Sequence, residues 1–163
     1  MDFTLYETLL QLPLFQGLGK NDITEILTAV RFHFKKIPQD SYIYRQDEVC
    51  QEIAFLLGGT VVADTLSYDK SYMLCEVLPV PHVVELYSLY GINPRYHASY
   101  RAVTETNVLT IDKSYLFELL SRYETCGINY SNIISTRSQY LHKRIWQDVT
   151  GGLRARFVQF VMQ

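Results

Sequence analysis

Between Phe32 and Ile111 the chain is cut into short apolar pieces by turn residues, and after Ile111 the cutting stops. Phe32 and Phe34 alternate with Arg31, His33 and Lys35. Pro38-Gln39-Asp40 reads as a turn, with Tyr42-Ile43-Tyr44 after it. IAFLL (53–57), Gly58-Gly59 and TVVADTL (60–66) read as a strand, a tight turn and a strand. SYDKS (67–71) turns the chain into YMLCEVL (72–78), which Pro79 and Pro81 end. SYRAVT (99–104) and NVLTI (107–111) are two more strands. Short strands with turns every 8–12 residues or so fit a sandwich, barrel or roll.

Helical spacing brackets this β region. Phe3, Leu5, Leu9, Leu10 and Leu12 make a short helix that Pro13 ends. Asn21 or Asp22 is placed to cap a second one carrying Ile23, Ile26, Leu27 and Val30. After the strands, Asp112 or Ser114 can cap a helix with Leu116, Phe117, Leu119 and Leu120. A longer helix runs from about Ile128 to Trp146. Its stripe is Tyr130, Ile133, Ile134, Arg137, Tyr140, Leu141 and Ile145. About five turns exceed what a small core needs, so one side is expected to seek a partner. The alternative is that the stripe simply packs on the β body. Gly151-Gly152 breaks the helix. LRARFVQFVMQ follows, with Leu153, Phe157, Val158, Phe160 and Val161 apolar. Alone it would expose that face, which points to the start of a further domain; the alternative is that it folds back.

Composition narrows the function classes. A chain of 163 residues with 48% hydrophobic and 20% charged residues has enough for one cored domain. No apolar run approaches membrane-spanning length, so no membrane partner is expected. The N-terminus lacks the features of a signal peptide. Three cysteines, Cys50, Cys75 and Cys126, lie far apart without a CxxC, which suits a reducing cytoplasm. His33, His82, His97 and His142 form no HxH or HExxH, and no P-loop, dinucleotide fingerprint or nucleophile motif occurs. The chain therefore reads as a non-enzyme with no metal site. Charge is uneven: residues 137–163 hold five Lys/Arg against one Asp, while the chain as a whole is at −2. A solvated helix end explains this, and so does nearby nucleic acid.

The stretch VVELYSLYGINPRYHASYRAVT (83–104) carries the candidate site. It sets Glu85 beside Tyr87, Ser88, Arg95, Tyr96 and Arg101, the residue types of a pocket for a small anion or of what remains of one.

At this point the order of elements resembles the Crp/Fnr family of bacterial transcription regulators, in the cyclic-nucleotide-binding-like superfamily. The resemblance covers nearly the whole chain. LPLFQGLGKNDITEIL (12–27) is similar to the family's helical entry, and FKKIPQDSYIYRQDEVCQEIAFLLGGTVV (34–62) to its first β-roll half, with Gly59 at the hairpin glycine. VVELYSLYG (83–91) falls at the phosphate-binding cassette. AVTETNVLTIDKSYLFELL (102–120) resembles the last strands and following helix. The helix from Ile128 matches the dimerisation helix, and LRARFVQFV (153–161) the first helix of a winged helix-turn-helix. In style the second half is similar to the branch found in Bacteroides-type bacteria. The implied fold is mainly β with flanking helices, a jelly-roll-like double-stranded β-helix followed by a long dimerisation helix.

In family members that bind cyclic AMP the cassette reads approximately Gly-Glu-x-x-Leu, then Arg-Ser/Thr-Ala. The glutamate accepts from the ribose hydroxyl, and the arginine and backbone N–H groups hold the phosphate. Here Glu85 keeps the glutamate place. Val84 replaces the glycine before it, and Tyr87 a small residue after it. The arginine place falls on Tyr96, with Arg95 one residue early, and on a strand that slip turns a side chain to the other face. Asp40 and Asp47 replace two further family glycines. These changes argue against cyclic AMP or cyclic GMP. Glu85 is then either a buried carboxylate paired with Arg95 or Arg101, or part of a site for another, unidentified small molecule. Some family members sense gases through haem, and His82 and His97 flank the cassette; ordinary histidines are the stronger expectation.

The resemblance implies a domain plan: a sensor β-roll at 1–125, a dimerisation helix at 126–148, and at 149–163 a hinge and the start of a winged helix-turn-helix. The implied function is effector sensing and dimerisation in a cytoplasmic DNA-binding transcription regulator that does not respond to cyclic AMP. Its partners would be a second copy through Tyr130, Ile133, Ile134, Arg137, Tyr140 and Leu141, and DNA through a domain mostly absent from this sequence. The alternatives are a stand-alone ligand-binding or interaction module on the same fold without a DNA role, and a cupin-like metal enzyme, which needs a clustered His/His/Glu set.

Overall fold

The computed structural model describes residues 5–149, with side chains described as far as residue 144. Among the described residues, eight strands form two antiparallel four-stranded sheets. In chain order they are β1 (Phe32–Ile37), β2 (Tyr42–Tyr44), β3 (Glu52–Gly58), β4 (Val61–Leu66), β5 (Met73–Leu78), β6 (His82–Val84), β7 (Ser99–Ala102) and β8 (Thr106–Asp112). One sheet has the order β1-β8-β3-β6 and the other β2-β7-β4-β5. Apart from the β4–β5 hairpin, successive strands thus alternate between sheets, which is the jelly-roll arrangement. Four α-helices among the described residues flank it: α1 (Leu5–Gln11), α2 (Lys20–Ala29), α3 (Lys113–Arg122) and α4 (Glu124–Val149).

The continuous apolar runs are the central strands. Ile53, Ala54, Phe55 and Leu56 of β3 are all buried, because one face lies inside the roll and α3 covers part of the other. β3 pairs with β8 in the register Ile53↔Ile111 and Phe55↔Leu109, which stacks apolar residues across the ladder. Phe15 closes the end of this core, its ring 6.1 Å from that of Phe55.

Differences from the sequence reading are local. Strand β6 was not expected between Pro81 and Glu85, where only three residues are available; it forms because Val84 and Val83 pair with Ala54 and Phe55 of β3. Helix α2 starts before Asn21 and Asp22. Gly19 is its N-cap, and Asp22 accepts the Gly19 N–H at 3.1 Å. Asp112 does precede α3 but makes no side-chain cap bond. Helix α4 begins at Glu124, before the expected start near 128, directly after Tyr123 ends α3. The Gly151-Gly152 break, the helix over 153–161 and the side chains of Ile145 and Trp146 lie outside the described residues.

Asp40 and Asp47, at places where the family resemblance has glycines, adopt left-handed backbone with φ 62° and φ 69°. Aspartate tolerates that region better than most residues.

Candidate functional site

The residues from 95 to 102 alternate strictly, with even positions buried and odd ones more exposed. This settles where the cassette side chains go. Tyr96 points inward, is 2% exposed, and stacks on Tyr44 with ring centroids 4.2 Å apart. Arg95 points outward, and its Nη1 donates to the Asp47 carbonyl at 2.6 Å. Arg101 also points outward, 3.7 Å from carboxylate oxygens of both Asp40 and Asp64. No ion pair joins Glu85 to either arginine among the described residues, so the pairing expected from sequence does not form. The reason is the one-residue slip: the inward place belongs to an aromatic ring.

Glu85 finds other partners. It is 5% exposed and sits at φ 31°, ψ 50°, a left-handed conformation rare for a residue with a side chain. Its Oε1 accepts the N–H groups of His97 and Ala98, each at 3.0 Å, and the hydroxyl of Tyr100 at 2.7 Å. Its Oε2 accepts the His97 N–H at 2.8 Å and the Ser88 hydroxyl at 2.6 Å. His97 Nδ1 lies 3.2 Å from Oε2 and 3.0 Å from Ser88 Oγ, while its side chain stays 53% exposed. Charge-assisted bonds of this number offset the backbone strain and the burial of the carboxylate. Burial, and then the Glu85 charge, push the Tyr100 hydroxyl far above its ordinary pKa, which keeps it a donor.

Glu85, His97, Ala98 and Tyr100 border a cavity of about 620 Å³, within the usual size of small-molecule sites. Its walls come from β4, β5, β6, the cassette turn at Leu86–Ser88, β7 and helix α4. Tyr87 lines it, its ring centroid 5.8 Å from that of His97. Burial, with help from the Glu85 charge and against the pull of Arg137, pushes the Tyr87 hydroxyl up to about 12. His82 also lines it, and burial, then the charge of Arg137, hold its imidazole below the ordinary value. Tyr96, by contrast, belongs to the core and not to the cavity wall.

Helix α4 packs on the roll and walls the cavity. Tyr130, Ile133 and Ile134, expected in a seam between copies, pack against the core of their own chain, and Ile133, Ile134, Arg137 and Tyr140 line the cavity. Arg137 reaches to Glu76 of β5 at 3.8 Å. Asn129 anchors the helix, its Nδ2 donating to the carbonyls of Leu14 at 3.0 Å and Gln16 at 2.8 Å. Past the roll the same face emerges into solvent, with Tyr140 43% and Leu141 40% exposed. Reading from sequence missed Tyr100 and Glu76 as site residues. The β7 alternation carried a signal for Tyr100, and a lone cation in an apolar helical stripe carried one for Arg137. Among the described residues, no group of three His, Cys, Asp or Glu side chains is placed to hold a metal.

A family model for the cyclic nucleotide-binding domain matches residues 34–123, more than half of the sequence. The chain belongs to that family. Its members are regulatory ligand-binding domains. Solved structures place it near transcription regulators. The Thermus thermophilus catabolite activator protein aligns with a TM-score of 0.71 at 20% identity, over 82% of this chain and 62% of that one. This chain therefore spans less than two thirds of that regulator's length. The sensor domain of the transcriptional regulator DNR from Pseudomonas aeruginosa aligns at 0.66 and 20% identity, over 81% of this chain and 91% of that one. A cyclic nucleotide-binding domain from Methylobacillus flagellatus aligns at 0.69 and 15% identity, over 91% and 84%. At such identities the likeness is one of fold. No curated protein matches the sequence. Among the described residues no helix is long and apolar enough to cross a membrane.

Proposed function

We propose that this chain is the effector-sensing and dimerisation domain of a Crp/Fnr-like, cytoplasmic DNA-binding transcription regulator, and that its effector is not cyclic AMP. The domain plan is the one above: a sensor roll to residue 125, a dimerisation helix to 148, then the entry to a winged helix-turn-helix. It is not an enzyme; the cavity serves to bind.

One observation carries the reading. The same face of α4 walls the cavity at Ile133, Ile134 and Arg137 and then leaves the roll at Tyr140 and Leu141. Whatever occupies the cavity touches the helix that would meet a second copy, so occupancy and the stance of the two copies share one rigid element. Two DNA-binding domains set by such a pair would read a palindromic site. Against cyclic AMP stand Glu85, already supplied with donors from its own chain, and both cassette-segment arginines, which point outward.

Sedimentation velocity at micromolar concentration tests the dimer, and a melting titration with cyclic AMP tests the effector. A dimer whose melting temperature does not move with the nucleotide is the expected pair of results. A strict monomer overturns the regulator reading. A saturable rise with cyclic AMP overturns the exclusion.

A further inference from the structure

Among the described residues the cavity has one lining side chain with a permanent positive charge, and the cassette does not supply it. It is Arg137, on α4. A guanidinium carries five N–H donors in a planar fork. Its carboxylate neighbour is Glu76 at 3.8 Å, beyond good hydrogen-bond distance, and the Tyr140 ring lies 5.4 Å from its carbon. The Tyr87 hydroxyl also interacts with it, and Arg137 stands on the cavity wall, where a stronger acceptor would replace these contacts.

The rest of the wall decides what could use it. Leu78, Val83, Leu86, Ile133 and Ile134 give it an apolar patch, the rings of Tyr87, Tyr100 and Tyr140 add aromatic surface, and Thr65, Asn132 and Thr136 add uncharged polar groups. The group that would read a sugar hydroxyl, Glu85, has both oxygens occupied by Ser88, Tyr100 and two backbone N–H groups. Two carboxylates, Glu76 and Glu85, already line the space. A dianion would add two charges beside these two groups with one guanidinium to offset them, whereas a monoanion that takes the fork over adds one, so the smaller repulsion favours a single negative charge.

We infer that the cavity binds an aryl- or alkyl-carboxylate, its apolar body against the β-roll and α4 and its carboxylate on Arg137. The inference rests on the sensor reading above and names the effector class for it. It also names the coupling. The fork that takes the ligand is the one that now reaches Glu76, so binding exchanges a tie between α4 and β5 for a tie between α4 and the ligand. The neutral state favoured at His82 by burial and by Arg137 fits a site with one positive charge to offer.

The test is a melting and calorimetric titration of the intact chain with phenylacetate, 3-phenylpropanoate, 4-phenylbutanoate, hexanoate and octanoate. The matched amides, phenylphosphonate and cyclic AMP run beside them. At least one carboxylate is expected to bind saturably, with its amide about tenfold weaker or worse, because the amide leaves the guanidinium unpaired. Arg137→Gln should cost about tenfold or more in affinity for that carboxylate, and Arg137→Lys, which keeps the charge without the fork, should fall between. Arg95→Gln and Arg101→Gln should bind as the parent does. The assignment is overturned if no carboxylate binds, if amide and carboxylate bind alike, if Arg137→Gln binds unchanged, or if the phosphonate or cyclic AMP is preferred. Sedimentation of the same samples keeps the two readings apart. A dimer that ignores every carboxylate overturns the ligand class alone, and a monomer that binds one overturns the regulator reading alone.

Discussion

Tyr100 donates its hydroxyl hydrogen to Oε1 of Glu85 across 2.7 Å, and both side chains are buried. By the family resemblance, a ligand hydroxyl would use that carboxylate; here the chain's own Tyr100 and Ser88 do. Glu85 is thereby a fastening between the cassette turn and β7. Glu85→Ala should destabilise the chain by about 3 kcal/mol or more, since the N–H groups of His97 and Ala98 lose their acceptor in the interior. Tyr100→Phe should cost about 1–2 kcal/mol. The double variant should cost less than the sum, by about 1 kcal/mol, because both remove one bond. Urea unfolding of the four proteins gives the cycle, and strict additivity would show that the contact contributes nothing.

The β-roll was legible because turn chemistry is local: Gly58-Gly59, SYDKS and Pro79 each mark a strand end without help from distant residues. The outward turn of Arg95 and the inward place of Tyr96 followed from period-two alternation, also a local rule. Partnership was not legible. Arg95 and Arg101 were the obvious cations for Glu85 by charge, yet the outer-face carboxylates Asp40 and Asp64 hold one and the Asp47 carbonyl the other. The stripe on α4 was visible as a stripe, but a period cannot say which surface covers it. Strand β6 was invisible because its three residues form only by pairing with β3.

Two glycines separate steric crowding from backbone strain. Gly59 has φ +92° and Gly91 has φ +98°, so alanine is strained at both. At Gly59 a Cβ would lie 2.5 Å from Thr106 Oγ1 and 2.6 Å from the Glu105 carbonyl oxygen; at Gly91 it would meet nothing within 4 Å. Gly91→Ala should cost about 1–2 kcal/mol. Gly59→Ala should cost clearly more, about 3 kcal/mol or above, because two backbone segments must shift. Equal losses in chemical denaturation would mean that the hairpin relaxes freely.

His82 gives a pH dependence of known sign. Its folded pKa lies below the ordinary 6.5 because burial, and then Arg137 of α4, disfavour the imidazolium, with Glu76 of β5 opposing. Between 6.5 and the folded value the unfolded chain binds the proton and the folded chain does not. This contribution is therefore intact above pH 6.5 or so and is lost as pH falls toward the folded value. At pH 5.5 the loss is bounded at about 1.4 kcal/mol. His82→Gln should flatten the stability profile between pH 7.5 and 5.5 relative to the parent. A variant that keeps the full slope would assign the titration to another group.

Ile134 and Leu141 lie on the same broad face of α4 but meet different surroundings. Ile134 packs against the core of its own chain and lines the cavity, whereas Leu141 is 40% exposed beyond the roll. A carboxylate at the first position, which is half-buried, must be partly desolvated within the protomer; at the second it stays wet unless another copy covers it. Ile134→Glu is therefore expected to lower the stability of the chain by about 1–3 kcal/mol. Leu141→Glu should leave the protomer stable within about 0.5 kcal/mol and weaken self-association instead. Denaturant midpoints read the first effect at low concentration, and sedimentation across a dilution series reads the second. If Leu141→Glu sediments as the parent does at every concentration, the emerging end of α4 is not where two copies meet.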